Sequence, residues 1–80
     1  MSERWSRKWR PLDHDPAALR WAREVKGWSQ ARLAREIGIS RSSVCEIEAG
    51  GRNANHAMIT RLAEALGCPA TVLMREKPAA

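Results

Sequence analysis

Glycine placement constrains this chain more than any other feature. All five glycines (Gly27, Gly38, Gly50, Gly51 and Gly67) stand just after a stretch of helix-forming residues, where a residue able to turn left-handed ends a helix. The prolines agree. Pro16 follows Asp15 as the first helical residue follows an N-cap, Pro69 can open a last helix, and Pro11 and Pro78 lie in the tails. The chain is thereby cut into five short helices, expected over Pro16–Lys26, Gln30–Ile37, Arg41–Ala49, His56–Leu66 and Pro69–Arg75. No segment reads as a strand, so the expected fold class is all-α, a compact five-helix domain.

Apolar residues recur at helical spacing within these segments: Leu19, Ala22 and Val25; Leu33, Ala34 and Ile37; Val44 and Ile47; Ile59, Leu62, Ala63 and Leu66. Together with Trp28, Ile39, Cys68 and Leu73 they form the expected core. Two junctions share one device, an apolar residue before a serine cap that meets another apolar residue five positions on. Trp28, Ser29 and Leu33 make the first, and Ile39, Ser40 and Val44 the second. The link between helices 2 and 3 is only Gly38, Ile39 and Ser40, which forces a sharp crossing, with Ala34 leaving room for close approach.

Eighty residues suffice for one domain with one core. The expected division is a basic N-terminal arm over 1–15, a helical domain over 16–76 with its central two-helix unit at 30–49, and a tail over 77–80. Fourteen Lys and Arg against nine Asp and Glu give a net charge of +5, which favours a polyanionic partner. The N-terminus Met-Ser-Glu-Arg-Trp has no apolar run, so neither a secretory signal nor a spanning segment is read, and a cytoplasmic location without membrane contact is expected. Cys45 and Cys68 lack metal-ligand spacing, so no metal site and no disulfide are expected. His14 and His56 stand alone and read as surface residues. With no nucleophile–base pair, paired acids or phosphate-cradling glycine loop, an enzyme is not expected, nor a cofactor or small-molecule ligand.

Turning Val44 and Ile47 inward leaves Arg41, Ser42, Cys45, Glu46 and Ala49 pointing outward on helix 3. Arg41 can donate a bidentate pair to guanine, Ser42 can donate or accept, and Glu46 can accept from the cytosine amino group. The same face would also serve as an ordinary solvated one.

From Leu19 to Leu73 the sequence resembles the lambda-repressor-like helix-turn-helix domain, the XRE or Cro-like family. The resemblance lies in Leu19, Arg23, Gly27-Trp28-Ser29-Gln30, Leu33-Ala34, Gly38-Ile39-Ser40, Val44, Glu48 and Gly51. It continues through Ile59, Leu62-Ala63, Leu66-Gly67 and Leu73. It implies that Gln30 bonds a DNA phosphate, aided by the helix 2 N-terminus. It further implies that Arg41, Ser42 and Glu46 read bases and that Ser43 faces a phosphate. Arg23 and Glu48 match a structural ion pair of the family, and the helical wheel independently puts Glu48 at the border of the buried side. After Gly51 relatives often carry several basic residues and a proline, whereas this chain has Arg52, Asn53, Ala54, Asn55 and His56. Phosphate contact in that loop would rest on Arg52, Asn53 and Asn55.

Arg4, Arg7, Lys8 and Arg10, with Trp5 and Trp9 between them, could follow phosphates or enter a minor groove, or form a frayed tail. Helix 5, with Val72 and Met74, is apolar enough to serve the two-fold homodimer common in this family. The expected function is sequence-specific binding of an operator in double-stranded DNA and regulation of transcription, by repression. The alternative is an antitoxin or other protein-interaction module that also binds its own promoter.

Overall fold

The computed structural model describes residues 12–74. Five helices follow in order: α1 (Pro16–Lys26), α2 (Gln30–Ile37), α3 (Arg41–Ala49), α4 (His56–Leu66) and α5 (Ala70–Leu73). Each of the first four begins at a side-chain cap that satisfies otherwise unpaired N–H groups of its first turn. Asp15 accepts from the amides of Ala17 and Ala18, Ser29 from Arg32, Ser40 from Ser43, and Asn55 from Met58.

The α2–α3 junction shows why glycine is needed. Gly38 stands at φ +80° and its N–H returns to Ala34 O at 2.8 Å. Ile39 also donates to Ala34 O, and Arg61 of α4 donates to Ile37 O, so two of the carbonyls at the end of α2 are tied off. A Cβ at Gly38 would meet nothing closer than Arg61 Nη2 at 3.7 Å, so space is not the obstacle and backbone conformation is. Gly38→Ala should therefore cost about 1–2 kcal/mol, the penalty of holding an L-residue left-handed. A urea titration checks this, and an unchanged midpoint would rule it out. Gly51 departs from the expected pattern: Gly50 takes the left-handed turn after α3, while Gly51 donates its N–H to Glu46 O at 2.9 Å.

The core gathers Leu19 and Ala22 of α1, Leu33, Ala34 and Ile37 of α2, and Val44 and Ile47 of α3. Ile59, Leu62, Ala63 and Leu66 of α4 join them, with Leu73 of α5 and Ala54 of the α3–α4 loop. Val25, expected inside, is 65% exposed. Successive steps of three residues drift about 60° around a helix, so the second step, from Ala22 to Val25, leaves the buried side, and Arg23 takes the inward place. Trp28 is only half-buried, lying under Lys26 and Arg32, whose charged groups stand 5.1 and 4.7 Å from its ring. Cys68 also packs at the edge of the core, where burial pushes its thiol pKa up.

Three further corrections share one cause. Helix 5 was expected to reach Arg75, but it ends at Leu73, because Met74 is extended and forms an isolated antiparallel bridge with His14. Asp15 N–H donates to Leu73 O at 2.8 Å within the same pairing. Residues 12–15, assigned to the arm from the sequence, thus belong to the fold. His14 is correspondingly no surface residue: it is fully buried. Ala54 N–H donates to its Nδ1 at 3.2 Å, which leaves the ring hydrogen on Nε2, 2.8 Å from the Ile47 carbonyl. The single imidazole thereby joins the N-terminal strap, the last turn of α3 and the loop that follows it. Arg4, Arg7, Lys8 and Arg10 lie outside the described residues, as do residues 75–80.

Candidate nucleic-acid interface

Helix α3 buries Val44 and Ile47 and leaves Arg41, Ser42, Cys45, Glu46 and Ala49 exposed, with Ser43 half-buried. The three residues expected to read bases therefore share one outward face. Arg41, Ser42, Cys45 and Glu46 line, with Gln30, a shallow depression of about 300 Å³. A second depression of about 250 Å³ adjoins it through Gln30 and Cys45 and reaches Arg20 and Glu24 on α1. The presented surface is thus a shallow groove along α3, edged by the polar side chains of Arg41, Ser42 and Glu46 and bounded by Gln30 in the first turn of α2.

The helix is held there by a buried ion pair. Arg23 Nε lies 2.6 Å from Glu48 Oε2 and Nη2 lies 3.1 Å from Oε1, a two-point contact with the side chains 11% and 4% exposed. Arg23 Nη1 donates to Trp28 O at 2.7 Å, and Gln30 Nε2 donates to Glu48 Oε1 at 3.1 Å. One carboxylate on α3 is thereby linked to α1 and to the first residue of α2. The Glu48 carboxylate raises the Arg23 pKa above the usual arginine value, against the opposing effect of burial.

The expected phosphate-facing residues fall into different local settings. Gln30 uses one of its two amide hydrogens on Glu48. Ser43 Oγ accepts from Arg52 Nη1 at 2.7 Å and from the Ser40 hydroxyl at 2.9 Å. Arg52 Nη1 also stands 3.9 Å from Glu46 Oε1. Asn55 spends its side-chain oxygen on the α4 cap. Asn53 is engaged at both ends of its amide, accepting from Asp13 N–H at 2.7 Å and donating to the Asp13 carboxylate at 2.9 Å. Sequence reasoning missed His14 and Asp13, whose partners lie 33 to 40 residues away and leave no local pattern. Among the described residues, no group of three or more His, Cys, Asp or Glu side chains could hold a metal ion, and no helix is long and apolar enough to cross a membrane.

A short left-handed turn that sets a capped, polar-faced helix outside a small α-helical core defines a helix-turn-helix domain. The helix-turn-helix family model HTH_3 matches residues 19–73. Among solved structures, the restriction-modification controller protein C.AhdI from Aeromonas hydrophila is 38% identical, with a TM-score of 0.69 over 71% of this chain and 83% of that one. The hypothetical transcription factor NHTF from Neisseria is 37% identical, with a TM-score of 0.71 over 75% of this chain and 69% of that one. The DNA-binding domain of the P22 c2 repressor, 23% identical with a TM-score of 0.67 over 70% of this chain and 74% of that one, shares the fold. Among curated proteins none matches. The chain belongs to this helix-turn-helix family, whose lambda-repressor-like members are DNA-binding regulators of transcription and not enzymes.

Proposed function

We propose that the protein recognises a specific double-stranded DNA operator by inserting α3 into the major groove and regulates transcription there by repression. The observation that carries this reading is the outward face of α3, where Arg41, Ser42 and Glu46 stand together with no long apolar side chain among them. Arg41 at the first turn suits guanine, Glu46 one turn later suits the cytosine amino group, and Ser42 can serve either polarity. Phosphate contacts flank this face: Gln30 through its remaining amide hydrogen and the α2 N-terminus on one side, Ser43, Arg52 and Asn55 on the other. Asn53 supports this loop through Asp13, whose carboxylate would disfavour a phosphate at the same place. The controller and transcription-factor names of relatives at 37–38% identity support a regulatory role.

A two-fold homodimer would present two α3 helices to half-sites about one helical turn, roughly 34 Å, apart. Val72 on α5 is 40% exposed and offers apolar surface for that contact. Repression then follows from occupancy, since a dimer seated on promoter DNA excludes polymerase from it.

Selection of bound sequences from random duplex DNA at two salt concentrations tests the reading. The expected result is a palindromic consensus, with Arg41→Ala losing about 1–3 kcal/mol at one base pair per half-site. Salt-sensitive binding without a consensus would overturn it.

A further inference from the structure

We propose that Arg52 is a positioning residue for the recognition face: it screens the Glu46 carboxylate and fixes Ser43 as a hydrogen-bond donor, so that base readout by Glu46 depends on it. The inference rests on the DNA-reading assignment made above and adds the residue that makes an acidic side chain usable there.

Helix α3 carries two carboxylates, and each meets an arginine from another segment. Glu48 is buried against Arg23, while Glu46 remains exposed with Arg52 Nη1 at 3.9 Å. The turn at Gly50 brings the chain back alongside α3, so that Arg52 reaches both Glu46 and Ser43. Both members of the Glu46–Arg52 pair are more than half exposed, and exposed pairs contribute little to folding. Its consequence lies in the face it serves. An unscreened carboxylate in the major groove would repel the flanking phosphates, whereas a guanidinium beside it brings the local charge close to zero and leaves Arg41 as the net attraction.

The hydroxyl arithmetic points the same way. A serine hydroxyl has one hydrogen to donate and two lone pairs to accept with. Ser40 Oγ accepts the Ser43 N–H at 3.1 Å and gives its own hydrogen to Ser43 Oγ at 2.9 Å. Arg52 supplies the second hydrogen bond into Ser43 Oγ at 2.7 Å. Both lone pairs of Ser43 are then occupied, and its own hydrogen is left for an acceptor, which is what a phosphate oxygen is. A plain phosphate ligand at position 52 would do neither of these things for its neighbours.

The test is a double-mutant cycle on the full chain, with wild type, Arg52→Ala, Glu46→Gln and the double variant titrated against the selected duplex and against duplexes changed at the base pair whose preference Glu46→Gln alters. Thermal melts confirm that these exposed substitutions leave the fold intact. Arg52→Ala should weaken binding about tenfold and flatten discrimination at that base pair. Adding Glu46→Gln to it should recover at least about threefold, although Glu46→Gln alone weakens the wild type. Both contacts come from Nη1 alone, so Arg52→Lys, which keeps a charge able to stand beside Glu46, should retain the salt dependence and most of the discrimination that Arg52→Ala loses. Additive effects with discrimination intact in Arg52→Ala would overturn the inference and leave Arg52 an ordinary phosphate contact, with operator reading untouched. Absence of any consensus for the wild type would overturn both.

Discussion

Replacing His14 with alanine is expected to remove about 3–5 kcal/mol of stability, a large part of what a domain of this size possesses. The ring is fully buried and both nitrogens are engaged, Nδ1 by the Ala54 N–H and Nε2 by the Ile47 carbonyl. Alanine would strand a donor and an acceptor away from water, at about 1–3 kcal/mol each, and would leave a cavity beside Ile47 and Ala54. His14→Phe separates the two costs, because it fills most of the volume and satisfies neither backbone group. Urea unfolding should place the phenylalanine variant between wild type and alanine. A loss below about 1 kcal/mol for His14→Ala would show that water or a backbone shift satisfies the two groups instead. Because Ile47 lies in the last turn of α3 and Ala54 in the loop after Arg52, DNA affinity should fall along with stability.

This residue also marks the limit of what was legible in the sequence. The five helices were readable because their determinants are local: a cap such as Ser40 sits three residues from the amide it accepts, and Gly38 sits one residue beyond the helix it ends. The outward face of α3 was readable for the same reason, since Val44 and Ile47 fix its rotation. His14 was misread as exposed because its partners are backbone groups 33 and 40 residues distant, and nothing in the neighbourhood of Asp15 and Pro16 announces them. Val25 was misread through an excess of pattern: spacing by three matched Leu19 and Ala22, but the inward place one turn on from Leu19 belongs to a charged residue, Arg23. Helix α5 was read too long because Met74 obeys a pairing with the N-terminal strap that no helical propensity reveals. The links of Arg52 to Ser43 and Glu46 span no more than nine residues, yet it is the direction of the Gly50 turn that closes them, and no spacing of residue types encodes it.

Arg23 occupies its inward place only because Glu48 is there, and this sets the second large expectation. Glu48→Ala should cost about 3–5 kcal/mol, since it leaves a mostly buried guanidinium without its two-point partner. Arg23→Ala should cost a similar amount by stranding the carboxylate, whose remaining donor is Gln30. The double variant should lose much less than the sum, because with both charges gone neither is left desolvated and unpaired, so the cycle should return a coupling of at least about 2 kcal/mol. No coupling would mean that water enters the pair and that it contributes only as an exposed one does. The pH dependence has a definite sign. Glu48 raises the Arg23 pKa above its unfolded value, so the arginine's share of the stabilisation is fully present below that value and is lost only as pH rises through the still higher folded one, far above neutrality. The single variants should differ from the double in DNA binding as well. Glu48 links α3 to both Arg23 and Gln30, so Glu48→Ala should release α3 and the first residue of α2 together, weakening DNA binding at temperatures well below its own melting transition.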